Sequence, residues 1–308
     1  MRLAGLAAGL CWALLAASPA PAAAAAAEAA APVAPPAWSA DIAEIRRLAA
    51  LIPGARATRI NVEKFAESHR SKKFSIKGAA DAPSIQARTA YQVVYPDGRV
   101  MIDSGMNPQI HKFFGRGTEE PYFPDAARRV DQALLAARLI LLTHEHGDHA
   151  GGVIDTPFAE RLAPKTMLTR GQLQTLMTSP QVPEIRLTGQ SASRFIVVDY
   201  DKYLPVAPGI VLIKSPGHTP GSQMVYVVLK SGAEYLFAGD AAWHMDGIRQ
   251  QAPKDAPWLT EDNGTLMPQL AWLDSLQRSA AALHVVVSHD EDQRLQYIAA
   301  RLLGRQFE

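Results

Sequence analysis

Thr143-His144-Glu145-His146-Gly147-Asp148-His149 follows directly on a short apolar run, Arg138-Leu139-Ile140-Leu141-Leu142, that reads as a buried strand closing on Thr143. Four candidate metal ligands, His144, His146, Asp148 and His149, fall within six residues. In an extended segment His144 and His146, two apart, point the same way and can share one ion. Asp148 and His149, past Gly147, can turn toward a second ion. Gly147 is expected to supply the backbone freedom that a tight loop needs.

Further ligand types stand at the ends of other predicted strands. The hairpin Thr89–Tyr95 and Arg99–Ile102, turned by Pro96-Asp97-Gly98, ends in Asp103-Ser104-Gly105. His218 sits in Ser215-Pro216-Gly217-His218-Thr219-Pro220-Gly221, between strands predicted at Ile210–Ile213 and Met224–Leu229. Asp240 follows Tyr235–Ala238, and His289 follows His284–Val287. Ends of strands are where scaffolded sites are commonly built. Other strands are predicted at Pro164–Leu168 and Phe195–Val198. Helices are predicted from Trp38 to Ile52 with Ser39 as N-cap, from Pro124 to Leu135, at Gly171–Met177, at Pro268–Ala281 and at Asp292–Leu303. Strands and helices interleave without an internal repeat, which predicts one α/β domain with sheet layers covered by helices.

That domain is expected to span residues 38–308. Before it, Met1-Arg2, an uncharged apolar run from Leu3 to Ala17 and Ala20-Pro21-Ala22 read as a signal peptide over residues 1–22. The apolar run is too short for a comfortable membrane span. Residues 23–37, almost only Ala and Pro, read as a disordered spacer. The expected location is periplasmic or secreted, with no membrane association after cleavage. The single cysteine, Cys11, belongs to the leader, which excludes a disulfide framework, a Cys-rich zinc finger and a CxxC redox site in the mature chain. With 31 basic and 30 acidic residues the charge is +1, which argues against a nucleic-acid partner; the expected partner is a small-molecule substrate. A homodimer is compatible with this composition.

Taken together, His144-x-His146-x-Asp148-His149, then His218, Asp240 and His289, with Asp103 ahead of them, resemble the metallo-β-lactamase superfamily over about residues 88 to 303. The resemblance implies an αββα sandwich, two β-sheets flanked by helices, with the site at one edge. It implies that His144, His146 and His218 hold one metal ion, that Asp148, His149 and His289 hold another, that Asp240 bridges them and that Asp103 orients the histidine loop. The gaps of 22 residues from His218 to Asp240 and 49 from Asp240 to His289 look like those of the N-acyl-homoserine lactone lactonases. The lactonases carry a tyrosine three positions after the bridging aspartate, aimed at the substrate carbonyl. This chain has Trp243 there, with His244 beside it. Relatives with a cysteine ligand are excluded.

A ligand set of nitrogen and oxygen suits zinc, with manganese, iron or cobalt permitted. Two such ions can share a hydroxide that opens a lactone or ester carbonyl, with Asp148 carrying a proton to the leaving group and His244 as a second catalytic candidate. A phosphotriester or phosphodiester hydrolase, a β-lactamase-like amidase and a metal-binding protein without catalysis are the alternatives. His284 is expected to be structural, and His69 and His111 to be solvated. Trp243, Trp258, Met245 and Met267 are candidates for an apolar pocket, with core packing the commoner fate of such residues. Arg70-Ser71-Lys72-Lys73 is expected to be a solvated loop.

Overall fold

The computed structural model describes residues 37–280 and 282–307; the expected signal peptide and all of the spacer but Ala37 lie outside them. Among these residues eleven strands pair into two sheets. The first runs in the order β1 (Arg59–Ser71), β2 (Pro83–Tyr95), β3 (Gly98–Ile102), β4 (Leu139–Leu141), β5 (Thr166–Thr169) and β6 (Ile196–Val198). Its first two pairings are antiparallel and the other three parallel. The second sheet comprises β7 (Tyr203–Ala207), β8 (Ile210–Lys214), β9 (Gln223–Val228), β10 (Glu234–Phe237) and β11 (Leu283–Val286) in sequential order, antiparallel except for β10 beside β11.

Side-chain alternation explains how the layers stack. Val100 and Ile102 of β3 turn inward onto Leu212, Val225 and Phe237 of the other sheet, all buried in one apolar cluster. Met101, between them, faces the opposite way, onto Val130 and Leu134 of a covering helix. On the outside of the second sheet, Val211, Ile213 and Leu236 pack on Ile45, Leu270 and Leu273. Each fully buried side chain of this size contributes roughly 1.5–3 kcal/mol.

The helices are α1 (Ile42–Leu48), α2 (Lys72–Ser75), α3 (Pro108–Gly115), α4 (Pro124–Ala136), α5 (Gly147–Ile154), α6 (Ala159–Leu162), α7 (Arg170–Thr178), α8 (Gly189–Ala192), α9 (Met245–Arg249), α10 (Asn263–Ser279) and α11 (Glu291–Ala299). The expected sandwich of two sheets between helices is therefore the observed one.

Several local expectations are corrected. The first helix is capped by Asp41, whose carboxylate accepts from Ala43 N–H at 2.8 Å, and not by Ser39. Helix α10 opens at Asn263 under an Asp262 cap, so Pro268 lies inside it. Strand β1 was not predicted, because buried polar residues such as Asn61, Glu63 and Ser68 interrupt its apolar pattern. Glu63 is satisfied there by Arg129 at 2.8 Å. The basic run is no solvated loop: Arg70 and Ser71 end β1, Arg70 is ion-paired with Glu120, and Lys72 opens α2.

Candidate metal centre

Every motif residue stands just past the C-terminal end of a strand. Asp103 follows β3, the segment His144–His149 follows β4, His218 follows β8, Asp240 follows β10 and His289 follows β11. The structure thus brings eight of the nine expected site residues, all but His244, to one edge of the sandwich. His146 is extended, as expected, but the chain enters α5 at Gly147, so Asp148 and His149 lie in a helical first turn. Gly147 is needed for space, not for conformational freedom: its φ is not positive, and a β-carbon would meet Ile110 Cγ2 at 2.9 Å. The φ of +61° is at Asp103 instead. There the strained backbone aims the carboxylate at Thr143 N–H (2.7 Å) and His149 Nδ1 (2.8 Å).

The ring nitrogens converge in two groups. His146 Nδ1 lies 3.2 Å from His144 Nε2 and 3.0 Å from His218 Nε2. His149 Nε2 and His289 Nε2 lie 3.5 and 3.4 Å from Asp148 Oδ2. Asp240 spans both groups. Its Oδ2 is 3.4 Å from His218 Nε2 and 3.9 Å from His144 Nε2, and its Oδ1 is 3.4 Å from His149 Nε2 and 3.3 Å from His289 Nε2. Each triad keeps its donor atoms within 4.8 Å of one another.

The outward nitrogens fix the tautomers. His289 Nδ1 meets the Ala87 carbonyl at 2.8 Å and must donate, which leaves the Nε2 lone pair facing the centre. His149 Nδ1 faces Asp103, and His218 Nδ1 faces Glu261. Buried His149 Nε2 and Asp240 Oδ1 have no hydrogen-bond partner. Unanswered polar atoms of this kind, aimed at a common point among nitrogen and oxygen donors, fit a bound divalent cation.

Electrostatics agree with that fit at every shifted group but His149, whose proton an entering ion would have to displace. Burial, with the neighbouring imidazoles, holds His144 well below its ordinary value, and burial and His218 hold His146 down to about 3, so both rings are neutral at pH 7. Burial opposes ionisation of Asp148, yet His149, Arg88 and His289 together lower it to about 2. Burial would lower His149, but the carboxylates of Asp148, Asp103 and Asp240 overcome it and raise the ring to about 9. Asp240 is likewise held ionised against burial by the imidazoles of His289, His144 and His149.

Three participants carry no sequence signal. Arg88, in the part of β2 that precedes the predicted hairpin, is 5% exposed and donates to Asp148 and to His289 Nε2 (3.3 Å). Glu261 and Lys254, both in the stretch before α10, pair at 3.0 Å. Glu261 also holds His218, and Lys254 donates to the Asp240 carbonyl. Trp243 is not directed at an incoming carbonyl: its indole N–H donates to Asp240 Oδ2 at 2.6 Å.

His244 is set apart. Its Nδ1 accepts from Asp246 N–H at 3.1 Å as the N-cap of α9, and it borders a separate cavity of about 980 Å³ with His69, Lys72 and Ser84. The cleft of about 550 Å³ that reaches His146, Asp148, His218 and Asp240 does not include it, so the expected catalytic role has no geometric support. Trp243 and Trp258 line that cleft, whereas Met245 and Met267 pack in the core under the second sheet. His111 is buried against Tyr122, and burial lowers its pKa; the expected solvation is wrong, because α3 turns the ring inward. His69 is exposed and His284 packs between Tyr235 and Tyr297, both as expected.

Fold and site together define a known class. Residues 86–289 match the Metallo-beta-lactamase superfamily model, and the chain belongs to that superfamily. It is a metal-dependent hydrolase. An N-acyl homoserine lactonase of a Bacillus species is 24% identical over 179 residues, 53% of this chain and 67% of the relative. The N-acyl homoserine lactonase of Bacillus cereus is 23% identical over 179 residues, with the same coverage. An N-acyl homoserine lactone hydrolase solved with N-hexanoyl-L-homoserine at its catalytic metal centre superposes with a TM-score of 0.62 at 15% identity, covering 78% of this chain and 96% of that one. A dizinc quorum-quenching lactonase superposes at 0.56 and 13% identity, covering 77% and 89%.

Proposed function

We propose that the chain is an exported hydrolase that uses two divalent ions to open a lactone or ester. The observation that carries this reading is Asp240, whose two oxygens divide between the two donor triads at 3.3–3.9 Å. His144, His146 and His218 would hold one ion, Asp148, His149 and His289 the other, and Asp240 both. The donor set suits zinc, with manganese, iron or cobalt permitted. When bound, such a pair supplies water activated near neutral pH and polarisation of a carbonyl.

The chain's own groups position and protonate. Asp148 opens on the cleft and is ionised, so it can take a proton from water and return it to the leaving oxygen. Arg88 holds that carboxylate in place, Asp103 and Glu261 orient His149 and His218, and Trp243 fixes Asp240. Phe113, Phe114 and Trp258 give the cleft an apolar wall suited to an organic ester or lactone. The Met1–Ala22 leader supports export.

The test is a comparison of the metal-loaded mature chain on an acyl-homoserine lactone, an aryl ester, an aryl phosphotriester and a chromogenic β-lactam, with metal content measured. Two ions per chain and foremost turnover of lactone or ester are expected, both lost in His144→Ala. Faster phosphotriester turnover would replace this reading with the phosphoesterase one. Two bound ions without any turnover would leave a non-catalytic metal protein.

A further inference from the structure

The cleft over the metal centre is lined by three guanidinium groups, those of Arg70, Arg88 and Arg116, while among the described residues its only acids are Asp148 and Asp240. Two of the three cations are already engaged. Arg88 pairs with Asp148, and Arg70 pairs with Glu120 and donates to the Phe114 carbonyl. The Arg116 side chain has no ionic or hydrogen-bond partner among the described residues. Its guanidinium instead lies over the face of Trp258, 3.9 Å from the ring centroid.

The backbone that presents Arg116 is unusual. It caps the C-terminus of α3 in the left-handed conformation, φ 51° and ψ 42°, where glycine or asparagine is the ordinary occupant. A bulky side chain kept in that conformation at the rim of a site is the kind of strain that persists where the position is used. Burial and the nearby Arg70 both press the Arg116 pKa down, with no carboxylate acting the other way.

We propose that the substrate carries a free carboxylate, which Arg116, stacked on Trp258, binds at the mouth of the cleft while the scissile ester or lactone lies over the metal centre. The proposal rests on the hydrolase reading and deepens it. A single unpaired guanidinium matches a single carboxylate through two parallel N–H donors. The aromatic wall of Phe113, Phe114 and Trp258 accommodates the carbon chain between carboxylate and scissile bond.

Matched probes test this: the 4-nitrophenyl half-ester of glutaric acid, with its carboxylate free, and the same compound with that carboxylate methylated. The expected ratio of kcat/KM, acid over methyl ester, is tenfold or more in the parent chain, carried by KM, and shrinks as salt rises. In Arg116→Gln the ratio falls to about one, and Arg116→Lys recovers part of it. A ratio near one in the parent, or a ratio that survives Arg116→Gln, overturns the proposal.

A binding measurement separates this failure from failure of the hydrolase reading. Glutarate titrated by calorimetry into the metal-free chain is expected to bind, and Arg116→Gln to abolish it. Glutarate binding with neither ester hydrolysed would overturn the ester reading and keep the carboxylate subsite. Hydrolysis of both esters alike, without glutarate binding, would overturn the subsite and keep the hydrolase.

Discussion

Arg88→Met in the metal-free chain is a direct test of how the centre is held before any ion enters. The Arg88 side chain is 6% exposed and that of its partner Asp148 is 4% exposed. Its guanidinium also reaches Ser68 Oγ at 3.2 Å and lies 4.7 Å from the Phe114 ring centroid. Methionine preserves much of the apolar stem, so little of the effect is a cavity. The substitution instead removes one of the two cations that hold a buried carboxylate, His149 Nε2 remaining at 3.5 Å, so the cost falls below the roughly 3–5 kcal/mol of a fully stranded partner, at about 1–3 kcal/mol. Urea unfolding at pH 7.5 with chelator present measures it as a lower midpoint at unchanged slope.

Asp148→Asn completes the cycle. Each single variant removes one side of the Arg88–Asp148 pair and the double variant removes both, so the double should be more stable than the sum predicts by roughly 1–2 kcal/mol. The acid limb gives a second reading of the same pair. Because the folded Asp148 pKa, about 2, lies below the ordinary carboxylate value, the stability it contributes is present above about pH 4 and lost as pH falls toward 2. Without Arg88 that pKa rises, and acid unfolding should begin at higher pH. A loss below about 1 kcal/mol in Arg88→Met, or a coupling within about 0.5 kcal/mol of zero, would refute the argument that this pair is buried and tight.

Three further outcomes follow from the same geometry. Glu261→Gln and Trp243→Phe each remove a group that orients a donor, His218 or Asp240, and should weaken metal affinity roughly 10–100-fold in chelator competition. Unchanged affinity in both would show the outer shell to be irrelevant. Gly152→Ala places a β-carbon inside van der Waals contact of the Ser104 carbonyl oxygen, backbone against backbone, and should cost about 3 kcal/mol or more by thermal unfolding. In the metal-free chain His149 is raised to about 9, so its stabilising contribution is complete below about pH 6.5 and lost as pH climbs through 9. Urea midpoints across that window should fall, His149→Gln should flatten the fall, and an ion on Nε2 should release close to one proton at pH 7.5 in calorimetry run in two buffers.

What could be read from the sequence, and what could not, divides along a physical line. A metal site demands particular residue types at strand ends, and His144, His146, Asp148, His149, His218, Asp240 and His289 advertise themselves by type and order alone. The strands that carry them are short apolar runs such as Leu139–Leu141, equally visible. The groups that support the ligands obey a looser requirement. Glu261 and Lys254 need only place a charge within hydrogen-bond reach of His218 and of the Asp240 backbone, and many sequence positions could do so. Arg88 was hidden further, because β2 extends to Pro83 only through pairing with β1, whose buried Asn61, Glu63 and Ser68 conceal its strand character. Even Trp243, singled out as a departure from the lactonase pattern, acquires its meaning from a 2.6 Å contact with Asp240 that no spacing rule contains. The same step from type to partner exposes Arg116: its identity is unremarkable in the sequence, and only the engaged states of Arg70 and Arg88 beside it leave it as the free cation of the cleft among the described residues.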